Sequence, residues 1–203
     1  MTDDLDLPGM VRVVLVDANV LYSRVLRDYL LYAADEEIIA VAWSREILDE
    51  VTEHLVANVA GFTVESGARL AAAMNRAFPY AEVEPEPEAH ERLSELALPD
   101  EDDRHVIAAA VAAEATILCT ANTKDFPEEI AGPLGFEVMT PDALLSLLIA
   151  EYPAQMLTAH ATSVARLRGA TDASTIAALE RAGAPIAATR MVPLLESAGI
   201  ALD

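Results

Sequence analysis

Residues 11–16, VRVVLV, set the first limit on this chain. A continuous β-branched run of this kind offers no polar face to water, so both faces of the strand must be covered. The run stops at Asp17-Ala18-Asn19, and the apolar spacing then changes to that of a helix. Leu21, Val25, Leu26, Tyr29 and Leu30 fall on one helical face. A second short apolar run, Ile38–Trp43, predicts another strand. Ser44 follows it as a helix N-cap, with Glu46 in the first turn and Ile47, Leu48, Val51 and Leu55 as the buried stripe.

The same alternation continues. An Ala-rich helix is predicted from Thr63 to Phe78, and an acidic, Pro-spaced segment over 79–91 carries a short edge strand near Glu82–Glu84. The acid-packed turn Leu98 to Asp103 opens onto a helix from His105 to Glu114. Thr116–Thr120 reads as a buried strand, Asn122 to Pro127 as a loop, and Phe136–Met139 as a last short strand. Thr140-Pro141 then begins a helix with proline in its first turn. Strands that alternate with helices indicate an α/β fold with a mainly parallel central sheet between helical layers, a three-layer arrangement. Sites in such sheets form at the carboxyl ends of strands, where Asp17 and Asn122 both lie. Beyond residue 150 the pattern is helical only, with helices predicted over Ala154–Arg168, Thr171–Ala182 and Ala187–Ser197. We therefore divide the chain into a leader (1–10), an α/β domain (11–150) and a helical C-terminal extension (151–203).

Charge is uneven. The chain has 13 basic and 34 acidic residues, a net charge of −21. Residues 1–150 hold 29 acids and 9 bases, whereas 151–203 hold 5 and 4. Such a field disfavours long-range attraction of nucleic acid and suits metal cations or a basic partner. The apolar runs are far shorter than the ~20 residues of a membrane-spanning helix. The acidic N-terminus lacks the basic region and apolar core of a signal peptide. A single cysteine, Cys119, excludes an internal disulfide framework and a multi-cysteine zinc site. The expected location is the cytoplasm.

Four acids fall where this fold brings chain segments together: Asp17 at the end of the first strand, Glu50 about two turns into the second helix, Asp103 at a helix start, and Asp125 in the loop after TILCT. Each alone is an ordinary cap or surface acid. Gathered, carboxylates repel, and a cation among them relieves the repulsion. Mg²⁺ takes a few carboxylates and keeps several waters, which suits phosphate chemistry. Asp102 competes with Asp103 for the ligand role, while Asp100 reads as a helix cap or solvent-facing acid. Thr120 and Asn122 are supporting polar groups.

In order, VVLVDANVLYS, SREILDEVTEHL, PDEDDRHVIAAAVAAEATILCTANTKDFP and GFEVMTPDALLSLL resemble a PIN domain over about residues 11–150. More narrowly they resemble the VapC-type ribonuclease toxins of toxin–antitoxin pairs, in a longer subgroup with a C-terminal helical extension. The resemblance implies a PIN-like fold and RNA cleavage with Mg²⁺ or Mn²⁺ held by Asp17, Glu50, Asp103 and Asp125. Many members carry aspartate where this chain has Asn122, so Asp125 is left with three roles: metal ligand, water holder or loop brace. The resemblance also implies a cognate antitoxin that brings basic side chains to the acidic pocket, and pairing of two copies. Arg24, Arg27, Arg45, Arg104 and Lys124 lie near the acidic motifs and are candidates for a phosphate track. Two other readings stay open. One is a catalytically inactive PIN-like module that binds protein through its acidic face. The other is a phosphoaspartyl protein, against which Asn19 stands where the phosphatase pattern needs a second aspartate.

Overall fold

The computed structural model describes residues 11–86, 93, 96 and 98–202. The leader expected over 1–10 and the end of the acidic segment, 87–91, lie outside them. The described residues form five strands: β1 (Arg12–Val16), β2 (Ile39–Ser44), β3 (Glu82–Val83), β4 (Ile117–Cys119) and β5 (Glu137–Met139). They make one sheet in the order β3-β2-β1-β4-β5. Each neighbouring pair is parallel, so the mainly parallel sheet of the sequence reading is parallel throughout. The helices with described bounds are α1 (Ala18–Leu21), α2 (Arg24–Asp35), α3 (Arg45–Asn58), α4 (Val64–Ala77), α5 (Arg104–Ala112), α6 (Glu128–Leu134), α7 (Pro141–Glu151), α8 (Pro153–Arg166), α9 (Asp172–Arg181) and α10 (Pro185–Ser197). No helix among the described residues is long and apolar enough to cross a membrane.

The β-branched run lies at the centre of the sheet. Val14, Leu15 and Val16 are fully buried between β2 and β4. The chain leaves β1 toward β2 on one side and reaches β4 on the other. The gap between the carboxyl ends of β1 and β4 is therefore the point where the winding reverses, the crevice such sheets offer to a site.

Two elements differ from the sequence reading. The single helix expected after β1 is two, broken at Ser23, which is extended (φ −72°, ψ 111°). The carbonyl of Leu21, left without a helical partner at the break, accepts a 2.6 Å hydrogen bond from the buried Arg27 guanidinium. The second difference is α6. Seven residues that include Gly132 and Pro133 carry too little helical signal, yet they form a helix closed by Gly135 at φ 90°. Ser44, Thr63 and Thr140 cap α3, α4 and α7 through their hydroxyls.

The extension packs on the α/β part. Helix α8 lies against α2, and α10 lies against α7. A buried polar chain joins them: the Tyr29 hydroxyl meets His160 Nδ1, and His160 Nε2 lies 3.0 Å from Asp172 Oδ1. The Asp172 carboxylate accepts, so Nε2 carries the proton and Nδ1 accepts from Tyr29. Arg190 donates to the Ser146 carbonyl, and the Asp142 carboxylate accepts from the Ala187 N–H.

Two predictions follow from this packing. Helices α3 and α4 touch at Gly67, where an added Cβ would lie 2.8 Å from Thr52 Cβ, an atom no rotamer moves. Gly67→Ala therefore costs roughly 1–3 kcal/mol of stability, read by urea denaturation. Burial lowers the pKa of His160 against the opposing pull of Asp172. The unfolded chain then takes up the proton first. The stabilisation is complete above the unfolded value near 6.5 and is lost as pH falls below it. Stability measured from about pH 8 to about pH 5 falls more steeply in the wild type than in His160→Gln.

Candidate metal centre

Asp17 anchors the centre. Its N–H donates to the Cys119 carbonyl, continuing the β1–β4 ladder by one residue. Its side chain is 5% exposed and caps α1: Oδ1 accepts from the Ala18 N–H at 2.6 Å. Oδ2 accepts from the Thr120 hydroxyl at 2.6 Å and from Asn19 Nδ2 at 2.5 Å. Asn19 also reaches across to β4, donating to Thr120 Oγ1 and accepting from the Ala121 N–H. Burial is the main cause that raises the Asp17 pKa; the Thr120 and Ala18 hydrogen bonds oppose it, and the charge of Glu50 adds to it.

Asp103 precedes α5 and belongs to the turn Glu101–Asp103. Oxygen atoms of Asp100, Asp103 and Asp125 lie within 4.8 Å of one another. Partial burial, then the charges of Asp17, Asp125 and Asp100, push the Asp103 pKa up to about 6. Asp17 is therefore a near neighbour of the trio in charge, with its oxygens already engaged. Asp100 is where the sequence reading needs correction. It does cap the turn, accepting from the Asp102 N–H at 3.0 Å, but its carboxylate also joins the cluster. The alternative ligand Asp102 is exposed and outside the trio. A cap and a ligand have the same sequence signature, so only the turn geometry separates them. Asn122 donates from Nδ2 to Asp125, so the two are partners in one loop. Thr120 is fully buried and accepts from the Asn122 N–H while donating to Asp17.

Glu50 stands apart from the trio. Its Oε1 lies 3.1 Å from His105 Nε2, off the axis of a directed hydrogen bond. His105 Nδ1 lies 2.7 Å from the Asp102 carbonyl. Burial pulls the imidazole pKa down. The Glu50 carboxylate, the Asp102 carbonyl and the charge of Glu46 outweigh that and raise it to about 9. His105 is thus an imidazolium near neutral pH, a built-in counter-ion that the scattered histidines of the sequence did not reveal.

Of the five candidate phosphate contacts, two are committed elsewhere. Arg27 is 9% exposed and closes α1, and Arg104 donates to the carbonyls of Leu93 and Leu96 and to Glu101. Both are spent on loop ends that no side-chain count reveals. Lys124 is exposed beside Asp125, and Arg24 is exposed with a long 3.4 Å contact to Asp28. Arg45 is likewise exposed, 3.9 Å from Asp49.

The donor set fits a hard divalent cation. It is all carboxylate oxygen, and two Mg–O distances of about 2.1 Å place ligands up to about 4.2 Å apart, so a small contraction of the trio closes it. The raised Asp103 pKa marks charge repulsion that a cation would relieve.

A family model described as PIN domain matches residues 13–124, more than half of the chain. Searches of curated proteins and of solved structures return no match. The family match ends one residue before Asp125.

The repulsion is directly testable. Asp103 titrates near 6 in the folded protein and near 3.8 unfolded. Its ionisation therefore opposes folding, and the penalty is complete above about pH 6. Asp103→Asn stabilises the metal-free protein at about pH 8, by about 1 kcal/mol once solvent screening is allowed for. If the trio holds a divalent cation, Mg²⁺ or Mn²⁺ raises the melting temperature of the wild type and not that of Asp103→Asn.

Proposed function

Because this chain belongs to the PIN domain family, whose members are generally nucleases, we propose that it is a divalent-metal-dependent endoribonuclease and the toxin of a toxin–antitoxin pair. The observation that carries the metal half of this reading is the Asp100–Asp103–Asp125 cluster beside the buried Asp17, at the winding reversal of a parallel sheet. In this reading residues 11–150 are the catalytic unit and 151–203 the helical extension.

Asp103 and Asp125 would hold Mg²⁺ or Mn²⁺, with Asp100 completing the set and Asp17 closing the site from below. A bound cation would offset charge on the phosphodiester and lower the pKa of a water that attacks phosphorus. Thr120 and Asn19 fix the Asp17 carboxylate so that its lone pairs keep their direction. Asn122 orients Asp125 in the same way. His105 holds Glu50 at the edge, where the carboxylate can turn to the site when substrate arrives. Lys124 stands at the rim and attracts phosphate locally, which a molecule of net charge −21 otherwise repels. Among the described residues no side chain is placed to form a covalent intermediate, so hydrolysis in one displacement is the expected course. The antitoxin, in this reading, presents basic side chains to the carboxylates and competes with the metal. A homodimer is the expected working form, by family resemblance.

A second reading draws on the His105–Glu50 pair, which already neutralises one acid. A non-catalytic acidic face for a basic protein would use the same surface without metal.

Purified protein, screened for contaminating nuclease, should cut RNA with Mg²⁺ or Mn²⁺ and stop with EDTA. Asp17→Asn and Asp103→Asn should abolish cutting. Thr120→Val, which removes the hydroxyl that donates to Asp17 and accepts from Asn19 and the Asn122 N–H, should lower the rate by about 10–100-fold. Absence of both cutting and calorimetric metal binding leaves the second reading.

A further inference from the structure

We propose that the groove between α2, the end of α3 and the appended helices α8 and α9 seats a nucleobase of the RNA substrate, next to the metal centre. This rests on the ribonuclease reading above and adds a binding site to it. The groove has a volume of about 570 Å³, the size of a small-molecule site. It begins where the metal centre ends: Asn19 and Ala121 form one rim, and Asn19 is hydrogen-bonded to Asp17.

Three features point to a base with its phosphates. First, Tyr22 and His54 line the groove with their rings stacked, centroids 4.1 Å apart and planes 28° apart. Tyr22 is 38% exposed, which leaves ring surface for a third member of the stack. Base stacking on aromatic rings is tolerant of sequence and is a main source of affinity for single strands. Second, Ser163 on α8 and Thr175 on α9 are each 5% exposed and line the groove. Neither hydroxyl has a hydrogen-bond partner among the described residues. Each hydroxyl can donate or accept, and a base edge supplies both acceptors and donors. Third, the groove reverses the charge of the molecule. Its lining carries Arg24 and Arg181 and one acid, Asp28, in a chain where acids outnumber bases by 34 to 13. Arg181 is exposed and has no partner among the described residues. A protein helix in the groove would satisfy its apolar walls but would have no use for two paired requirements, a stacking face and flanking cations, within reach of the cleavage site.

The extension therefore supplies half of a substrate site: Ser163, Thr175 and Arg181 come from it, while Tyr22, Arg24 and His54 come from the α/β part. The test uses the full chain with Asp17→Asn, to prevent cutting. The probe is a fluorescein-labelled, mixed-sequence, single-stranded RNA of about twelve nucleotides. Tyr22→Ala and Arg181→Ala should each weaken binding, read by anisotropy, by roughly tenfold. Arg181 is at the surface, so its replacement leaves the fold intact, checked by melting temperature. Mn²⁺ titration of the same variants should be unchanged. RNA affinity within about twofold of the parent in both variants overturns the proposal while leaving the nuclease reading standing. So does loss of binding to a protein partner with RNA binding unaltered. A parent that binds no RNA overturns the nuclease reading and this proposal with it.

Discussion

Everything in the site depends on keeping one carboxylate buried at the join of two strands. Asp17 sits where β1 and β4 part, and burial alone would expel its charge. Hydrogen bonds from Ala18, Thr120 and Asn19 hold it there, each of the charge-assisted kind that contributes about 1.5–3 kcal/mol. Those donors come from both strand ends, so the carboxylate also pins β1 to β4 at the crevice. The short helix α1 follows from the same contact, because the side chain that closes the crevice is its cap.

Around that fixed point the remaining acids divide by task. Asp100, Asp103 and Asp125 cluster in space because two 3₁₀ turns, Glu101–Asp103 and Thr123–Asp125, bring them face to face. Glu50 arrives on a long helix and is balanced by His105, in the first turn of α5. The centre thus contains a strained part, which a cation would relax, and a neutralised part, which is stable alone. Such a division lets the folded state tolerate a dense acidic site without metal at every moment.

Most of the fold is legible in the sequence because it rests on apolar period and on caps. VRVVLV and TILCT are dominated by apolar residues, and Ser44, Thr63 and Thr140 each precede a helical stripe. The break at Ser23 is not legible, since the apolar spacing from Leu21 to Leu30 runs straight across it and the reason for it is a buried guanidinium. Nor is α6, whose glycine and proline disguise seven helical residues. In the site, Asp17, Asp103 and Asp125 stand out as strand-end and turn acids. Asp100 is hidden by its own capping role, and His105 by being one of four scattered histidines. Arg27 and Arg104 read as surface cations because nothing in sequence tells an arginine that faces water from one that closes a loop.

The contact of Tyr29 with His160 spans 131 positions of the chain. At a synthesis rate of about 5–20 residues per second, the ribosome needs roughly 7–26 s to add the second partner after the first. Throughout that interval the face of α2 that α8 will cover is open, and it is still open when Asp125, the last acid of the cluster, has been made. A newly made molecule therefore keeps this face of α2 uncovered until its own extension has been synthesised, long after the sheet strands are complete.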